Sequence, residues 1–334
     1  MEEKRDTKLE YVNKTYRYMK HGMPIEDFMY KFHFNYSEFM GILELCRIYD
    51  KNIDIVEKNG ALVFEKNYNR TLITTKPDIN AEELTCTVVG LVSDTHFGNL
   101  KQQLHLLNKV YQDAYYRNVD VMLHLGDMTD GNYPNRPENP RQQFLHGFDE
   151  QAGYVVDMYP RVKGITTKYI LGSHDETHYK NGQATVNNWV SRCRDDMIYL
   201  GQDSATLNIN GVEFFLDHPG GGSSNSVSYK PQKRIETLES YYKPKVLAIG
   251  HYHKSYSFVY RNVRCIEVPC LCDKTQFQKK QGLSNVVGAY FLTIYSNKKG
   301  NIQYFEPEEI IFRPNEMWDE AGKDKNKVKK LVIN

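Results

Sequence analysis

Aspartate and histidine recur through the middle of this sequence in short clusters, and each cluster closes an apolar run. Val88 to Val92 leads into Asp94-Thr95-His96, Val121 to Leu125 into Gly126-Asp127, and Tyr169 to Leu171 into Gly172-Ser173-His174-Asp175. Val212 to Leu216 leads into Asp217-His218, and Val246 to Ile249 into Gly250-His251-Tyr252-His253. Mixed carboxylate and imidazole donors suit manganese, iron, zinc or nickel rather than calcium or magnesium alone. Two such ions, about 3.5–4 Å apart, can share one carboxylate and one hydroxide, lower the pKa of that water and neutralise phosphoryl oxygens. The shared carboxylate must be presented without crowding, and Gly126 lets the chain turn sharply before Asp127. A nearby imidazole that binds no ion can protonate the leaving oxygen.

Positioning such a set is a task for strands. From Thr85 onward the sequence alternates short apolar runs with polar loops, the texture of an α/β domain around a buried sheet. Ligands of open α/β sheets gather beyond the carboxyl ends of the strands, so five strands each delivering Asp or His at one end would build a single site. Taken singly the clusters are weak: Asp-x-His arises by chance, and a lone His such as His218 is more often a hydrogen-bonded structural residue. His251 and His253 stand better, because alternate residues of an extended segment point the same way. The ordered series of five carries the reading.

The series Asp94-x-His96, Gly126-Asp127, Gly172-Ser173-His174-Asp175, His218 and Gly250-His251-x-His253 resembles the calcineurin-like metallophosphoesterase superfamily over about residues 85–295. The stretches Asp217 to Gly222 and Ser228 to Lys233 are similar to archaeal and phage-type members that resemble the double-strand-break repair nuclease. The resemblance implies an α/β fold, a four-layer α/β/β/α sandwich. It implies that Asp94, His96, Asp127 and His253 hold one divalent ion while Asp127, His218 and His251 hold a second. Manganese is the favoured ion, with iron, zinc, nickel or magnesium as alternatives. His174 would be the transition-state imidazole. One departure is Ser173, where the family usually carries an Asn whose oxygen ligates the second ion. A hydroxyl reaches less far, so a weaker second site, or one completed by water, is expected.

Other residues have two readings each. Asp130 buttresses the loop of Asp127 or caps a turn, and Asp175 orients His174 or caps a helix. His178 and Lys180 meet substrate phosphate or lie in a solvated loop. Tyr229, Lys230, Lys233 and Arg234 offer aromatic and cationic groups suited to a nucleic-acid strand, or form an outward helix face.

Ahead of this region, residues 1–70 read as a small separate unit. Helical spacing over Tyr11 to Lys20 and from Ile25 to Phe32, with Pro24 suited to a first helical position, precedes a helix that Ser37 would cap. Asn59-Gly60 between β-prone runs then signals a type I′ hairpin. Helices followed by a hairpin resemble a winged helix-turn-helix. Acidic and basic residues balance over positions 1–80, so a phosphate-binding face is not evident there. Residues 71–84 read as a linker, 85–313 as the phosphoesterase domain, and 314–334, with Lys323, Lys325, Lys327, Lys329 and Lys330, as a basic tail.

Composition bounds the rest. The 334 residues are 40% hydrophobic and 25% charged, with a net charge of +1, which is ordinary globular usage without a global field for nucleic acid. No membrane span and no signal peptide are expected, and six cysteines without zinc-finger spacing read as reduced thiols of a cytoplasmic protein. The expected activity is a dinuclear-metal phosphodiesterase, a nuclease acting on DNA, in which a metal-bridging hydroxide attacks phosphorus. The alternatives are a phosphomonoesterase, phosphoprotein phosphatase or cyclic-nucleotide phosphodiesterase with the same centre. A DNA-binding regulator that uses the fold for ligand sensing is the rival from another class.

Overall fold

Aromatic residues at helical spacing build the first part of the chain. The computed structural model describes residues 3–48, 51, 53–66, 84–136, 139–222, 224–239, 243–312 and 330–333. The chain divides into two units, Met1–Pro77 and Asp78–Asn334.

In the first unit, helices α1 (Glu3–Met19), α2 (Ile25–Phe32) and α3 (Tyr36–Ile48) precede the hairpin β1 (Ile53–Lys58) and β2 (Ala61–Lys66). Phe28, Phe39 and Phe64 meet in its core with Val12, Met19, Ile42 and Leu43, each large side chain contributing about 1.5–3 kcal/mol by burial. The hairpin closes at Asn59 and Gly60, both at positive φ (55° and 79°), as a type I′ turn requires. Two helix starts differ from the sequence reading. Pro24 is the N-cap of α2 and not its first helical residue. Ser37 lies inside α3, which Asn35 caps. The Asn35 N–H donates to Glu38 Oε2 at 2.9 Å and the Glu38 N–H donates to Asn35 Oδ1 at 3.0 Å, a reciprocal capping box that outcompetes a lone serine.

The second unit runs β3 (Thr85–Val92), α4 (Leu104–Tyr116), β4 (Val121–Leu125), α5 (Gly147–Met158), β5 (Arg161–Val162) and β6 (Thr166–Ile170). It continues with α6 (Ser173–Gly182), α7 (Val186–Cys193), β7 (Met197–Gly201), β8 (Ser204–Ile209), β9 (Val212–Asp217) and α8 (Tyr229–Thr237). Strands β10 (Val246–Ile249), β11 (Tyr256–Tyr260) and β12 (Val263–Glu267) follow, then α9 (Gln276–Lys280), β13 (Gly288–Ser296), β14 (Ile302–Ile311) and β15 (Val332–Ile333). Six strands form one sheet in the order β14-β13-β3-β4-β6-β7, and five form another in the order β11-β12-β10-β9-β8. Strands β3, β4, β6 and β7 are mutually parallel, as are β9, β10 and β12.

The two sheets face each other across one core. Val89, Leu91, Leu123 and Leu125 of the first meet Phe214, Leu216, Val246 and Ala248 of the second. The first sheet's other face, through Met122 and Tyr169, buries Leu107, Val110 and Tyr111 of α4, Val155 of α5 and Val190 of α7. The second sheet's other face packs Ile235 of α8 against Leu247, Ile249 and Cys265. Strands buried on both faces explain the near-continuous apolar runs of the sequence.

The expected linker lies outside the described residues except for Leu84, and so do the tail lysines 323 to 329. The end of the expected tail is corrected: Val332–Ile333 pairs in parallel with β5, and Leu331 and Ile333 pack against the helix-side core. Burial of two aliphatic side chains outweighs the basic character of the segment before them. Among the described residues no helix is long and apolar enough to cross a membrane.

Candidate metal centre

Asp94 and His96 follow β3, Asp127 follows β4, His174 opens α6 after β6, and His218 follows β9, with His251 and His253 after β10. Both sheets therefore aim their carboxyl ends at one place. Asp94, His96 and His253 bring donor atoms within 4.8 Å of one another, and so do Asp127, His218 and His251. His96, Asp127 and His174 form a third such group that links the other two. Asp94, His96, Asp127, His251 and His253 all hold left-handed backbone, with φ of 51°, 45°, 52°, 76° and 53°. That conformation costs about 1–3 kcal/mol at a non-glycine residue and concentrates at functional sites. At Gly172 no side chain has room: a Cβ there would lie 2.3 Å from Asp127 Oδ1 and 2.7 Å from His218 Nε2.

The imidazole tautomers show which ring nitrogens are free to act as donors. His218 Nδ1 is 2.6 Å from the Leu125 carbonyl oxygen, which only accepts, so this nitrogen carries the proton. Its Nε2 then presents a lone pair 3.1 Å from Asp127 Oδ2 and has no hydrogen-bond partner. His251 Nε2 donates to the Gly221 carbonyl at 2.7 Å, leaving Nδ1 as its free donor atom. Two electron-pair donors facing each other in a buried site need a cation between them. Burial pulls His218 down, but Asp127 more than offsets this and pushes it up to about 10. Burial likewise opposes ionisation of Asp94 and Asp127, yet the surrounding imidazoles hold both carboxyls below the usual range. The residues thus fit divalent cations of the mixed N,O type.

The neighbouring groups fix this arrangement. Asp94 Oδ2 accepts from Ser93 Oγ and, at 3.0 Å, from the His251 N–H, leaving Oδ1 turned to His253 Nε2 at 3.1 Å. His253 Nδ1 lies 2.9 Å from Asn285 Oδ1. Asp130 stands 3.5 Å from His96 Nδ1 and accepts from Asn99 at 3.0 Å and Gln143 at 2.7 Å, so its carboxylate buttresses His96 rather than the loop of Asp127. Ser173 points its hydroxyl at Asp127 Oδ2 across 3.4 Å.

Asp175, expected either to join the catalytic set by orienting His174 or to cap a helix, takes the capping role. Its carboxylate accepts from the backbone N–H groups of Met128, Thr129 and Gly172 at 3.0, 2.8 and 3.0 Å and from the Thr129 hydroxyl at 2.7 Å. It caps α6 and ties that helix to the Asp127 loop. The ring of His174 is held instead by its Nδ1–H donating to the Asp130 carbonyl at 2.7 Å.

A cleft of about 880 Å³ opens over these groups. Five residues with a substrate-contact reading in the sequence do not line it. His178 is buried, its ring 5.5 Å from that of Phe148, because α6 turns this position toward α5. Tyr229, Lys230 and Lys233 lie on α8, whose buried Pro231 and Ile235 decide which side meets the sheet. Arg234 is engaged by Asp217 at 2.8 and 2.9 Å. The cleft is lined instead by Tyr133, Arg136, Lys180 and Phe277, of which the sequence reading had singled out Lys180 alone.

Residues 88–283 match the family model of the calcineurin-like phosphoesterase superfamily domain, and the chain belongs to that superfamily. It is a metal-dependent phosphoesterase, a hydrolase of ester bonds. Similar solved structures include a novel archaeal phosphodiesterase (18% identity, 68% of this chain and 100% of that one, TM-score 0.38). Another is the phosphoesterase Yfce from E. coli (12%, 66% and 98%, TM-score 0.35). A third is the zinc complex of Vps29 from Entamoeba histolytica (11%, 68% and 100%, TM-score 0.34). No curated protein matches the chain.

Proposed function

We propose that this protein is a dinuclear-metal phosphodiesterase that cleaves nucleic acid, DNA in the first place. The observation that carries the reading is the position of Asp127 in two of the three donor groups, one with His218 and His251 and one with His96 and His174. One ion would be held by Asp94, His96, Asp127 and His253, the other by Asp127, His218 and His251, with the Ser173 hydroxyl at its edge. Such ions, manganese by preference, supply an activated water and neutralise phosphoryl charge. The chain's own part is positional. Gly172 leaves room for Asp127 to be shared, and the Asp130 carbonyl turns His174 so that Nε2 is free. From that atom a proton passes to the ester oxygen as its bond to phosphorus breaks. Burial holds the His174 imidazole below its ordinary value, and the negative charge of a bound phosphodiester raises it again. Residues 1–70, as a winged-helix-like unit, would hold the nucleic acid or a partner.

The test is Mn²⁺-dependent turnover of end-labelled single- and double-stranded DNA, with EDTA and Asp127→Asn as controls. Metal-dependent cleavage that the variant loses is expected. Turnover of phosphomonoesters alone would replace this reading by the phosphatase alternative.

A further inference from the structure

Arg136 stands apart from the other cationic side chains of the cleft. Its guanidinium lies 4.3 Å from the centroid of the Tyr133 ring and 5.5 Å from that of Phe277. Lys180, by contrast, is engaged by Glu176 at 2.5 Å, and no carboxylate among the described residues forms an ion pair with Arg136. Tyr133 in turn places its ring 4.9 Å from that of His174. Two ring contacts therefore connect the imidazole beside the metal donors to the Arg136 guanidinium. Phe277 leaves 42% of its surface exposed beside it. All three side chains line the same cleft as Asp127 and His174.

Each feature has a physical consequence. A guanidinium stacked on an aromatic face has its plane fixed, and its N–H groups project from the edge, where they match a phosphate bidentately. Stacking removes rotamer freedom before substrate arrives, so less is lost on binding. An exposed phenyl ring beside a cation suits a nucleobase, which stacks through its π-face whatever its identity. A phosphomonoester of a small alcohol would use neither group.

We propose that Tyr133, Arg136 and Phe277 form a nucleotide subsite next to the metal centre. Arg136 binds the phosphate adjoining the scissile one, and Phe277 stacks the intervening base. The proposal rests on the phosphodiesterase reading and narrows it to substrates at least two nucleotides long, with little preference for base.

The test compares the Mn²⁺-loaded wild type with Arg136→Ala, Arg136→Lys and Phe277→Ala on a 5′-phosphorylated thymidine dinucleotide and on bis(p-nitrophenyl) phosphate. Calorimetric binding of the dinucleotide is measured alongside. Arg136→Ala is expected to raise the dinucleotide KM and Kd at least tenfold further than the KM of the chromogenic diester. Arg136→Lys recovers only part of the loss, since an ammonium lacks the planar fork, and Phe277→Ala produces a smaller rise of the same selectivity. Equal shifts for both esters, or a dinucleotide Kd insensitive to Arg136, would overturn the subsite. Failure of the wild type to turn over either ester would overturn the phosphodiesterase reading, and the dinucleotide Kd would still decide the subsite.

Discussion

Replacing Gly172 by alanine tests the crowding around Asp127 with one methyl group. The backbone there is extended (φ −125°), so alanine meets no conformational penalty and the effect is steric. The methyl would lie 2.3 Å from Asp127 Oδ1, 2.5 Å from Asp127 N and 2.7 Å from His218 Nε2. Reaching ordinary contact at 3.4 Å requires the carboxylate oxygen to recede by about 1.1 Å. Metal–ligand distances tolerate about 0.2 Å, so the second ion should be lost or weakened at least tenfold, about 1.4 kcal/mol. Overpacking a tight interior adds about 1–3 kcal/mol of destabilisation, and at roughly 2–4 °C per kcal/mol Tm should fall by about 2–12 °C. Gly182, near the end of α6, is the control, because a Cβ there meets nothing within 4 Å. Its alanine variant should keep or slightly raise Tm. Calorimetric metal titration and thermal melts of both variants provide the assay. A Gly172→Ala protein with wild-type Tm and two tight ions would refute the reasoning.

Three further outcomes follow from the same geometry. Ser173→Asn should tighten the second ion, because an amide oxygen reaches further than the hydroxyl now 3.4 Å from Asp127 Oδ2; equal occupancy in both proteins would contradict this. Asp175→Asn should destabilise by about 1–3 kcal/mol, since its amide group faces buried N–H donors, without moving the pH–rate profile. A shifted profile at unchanged stability would restore Asp175 to a role on His174. In chelated protein His218 titrates at about 10, above its ordinary value near 6.5. Its contribution is therefore complete below about pH 6.5 and lost as pH rises through about 10. Melting curves in EDTA should decline over that window and less steeply in His218→Gln; an identical decline in the variant would sink the assignment.

The donor residues were legible in the sequence because each follows a strand directly, and a strand end places its next residues with little freedom. Asp175 was harder: the Gly172 N–H three positions earlier is a local capping partner, but its other partners, on Met128 and Thr129, belong to a loop more than forty positions earlier that no local pattern reveals. Composition alone left the charges of α8 with two readings, toward the cleft or outward, whereas the buried Pro231 and Ile235 decide which side of that helix meets the sheet. Tyr133, Arg136 and Phe277 were invisible for a related reason. Their contact joins the segment after β4 to α9, and neither segment carries a motif. In the first unit the Asn35–Glu38 spacing held a capping signal that the nearby Ser37 obscured.

The central claim is that two ions share Asp127, and metal stoichiometry tests it most directly. Protein dialysed against Mn²⁺ and analysed by plasma mass spectrometry should hold two ions per chain, and Asp127→Asn fewer than one at the same protein concentration. A single ion in the wild type, or two retained by the variant, would contradict the account.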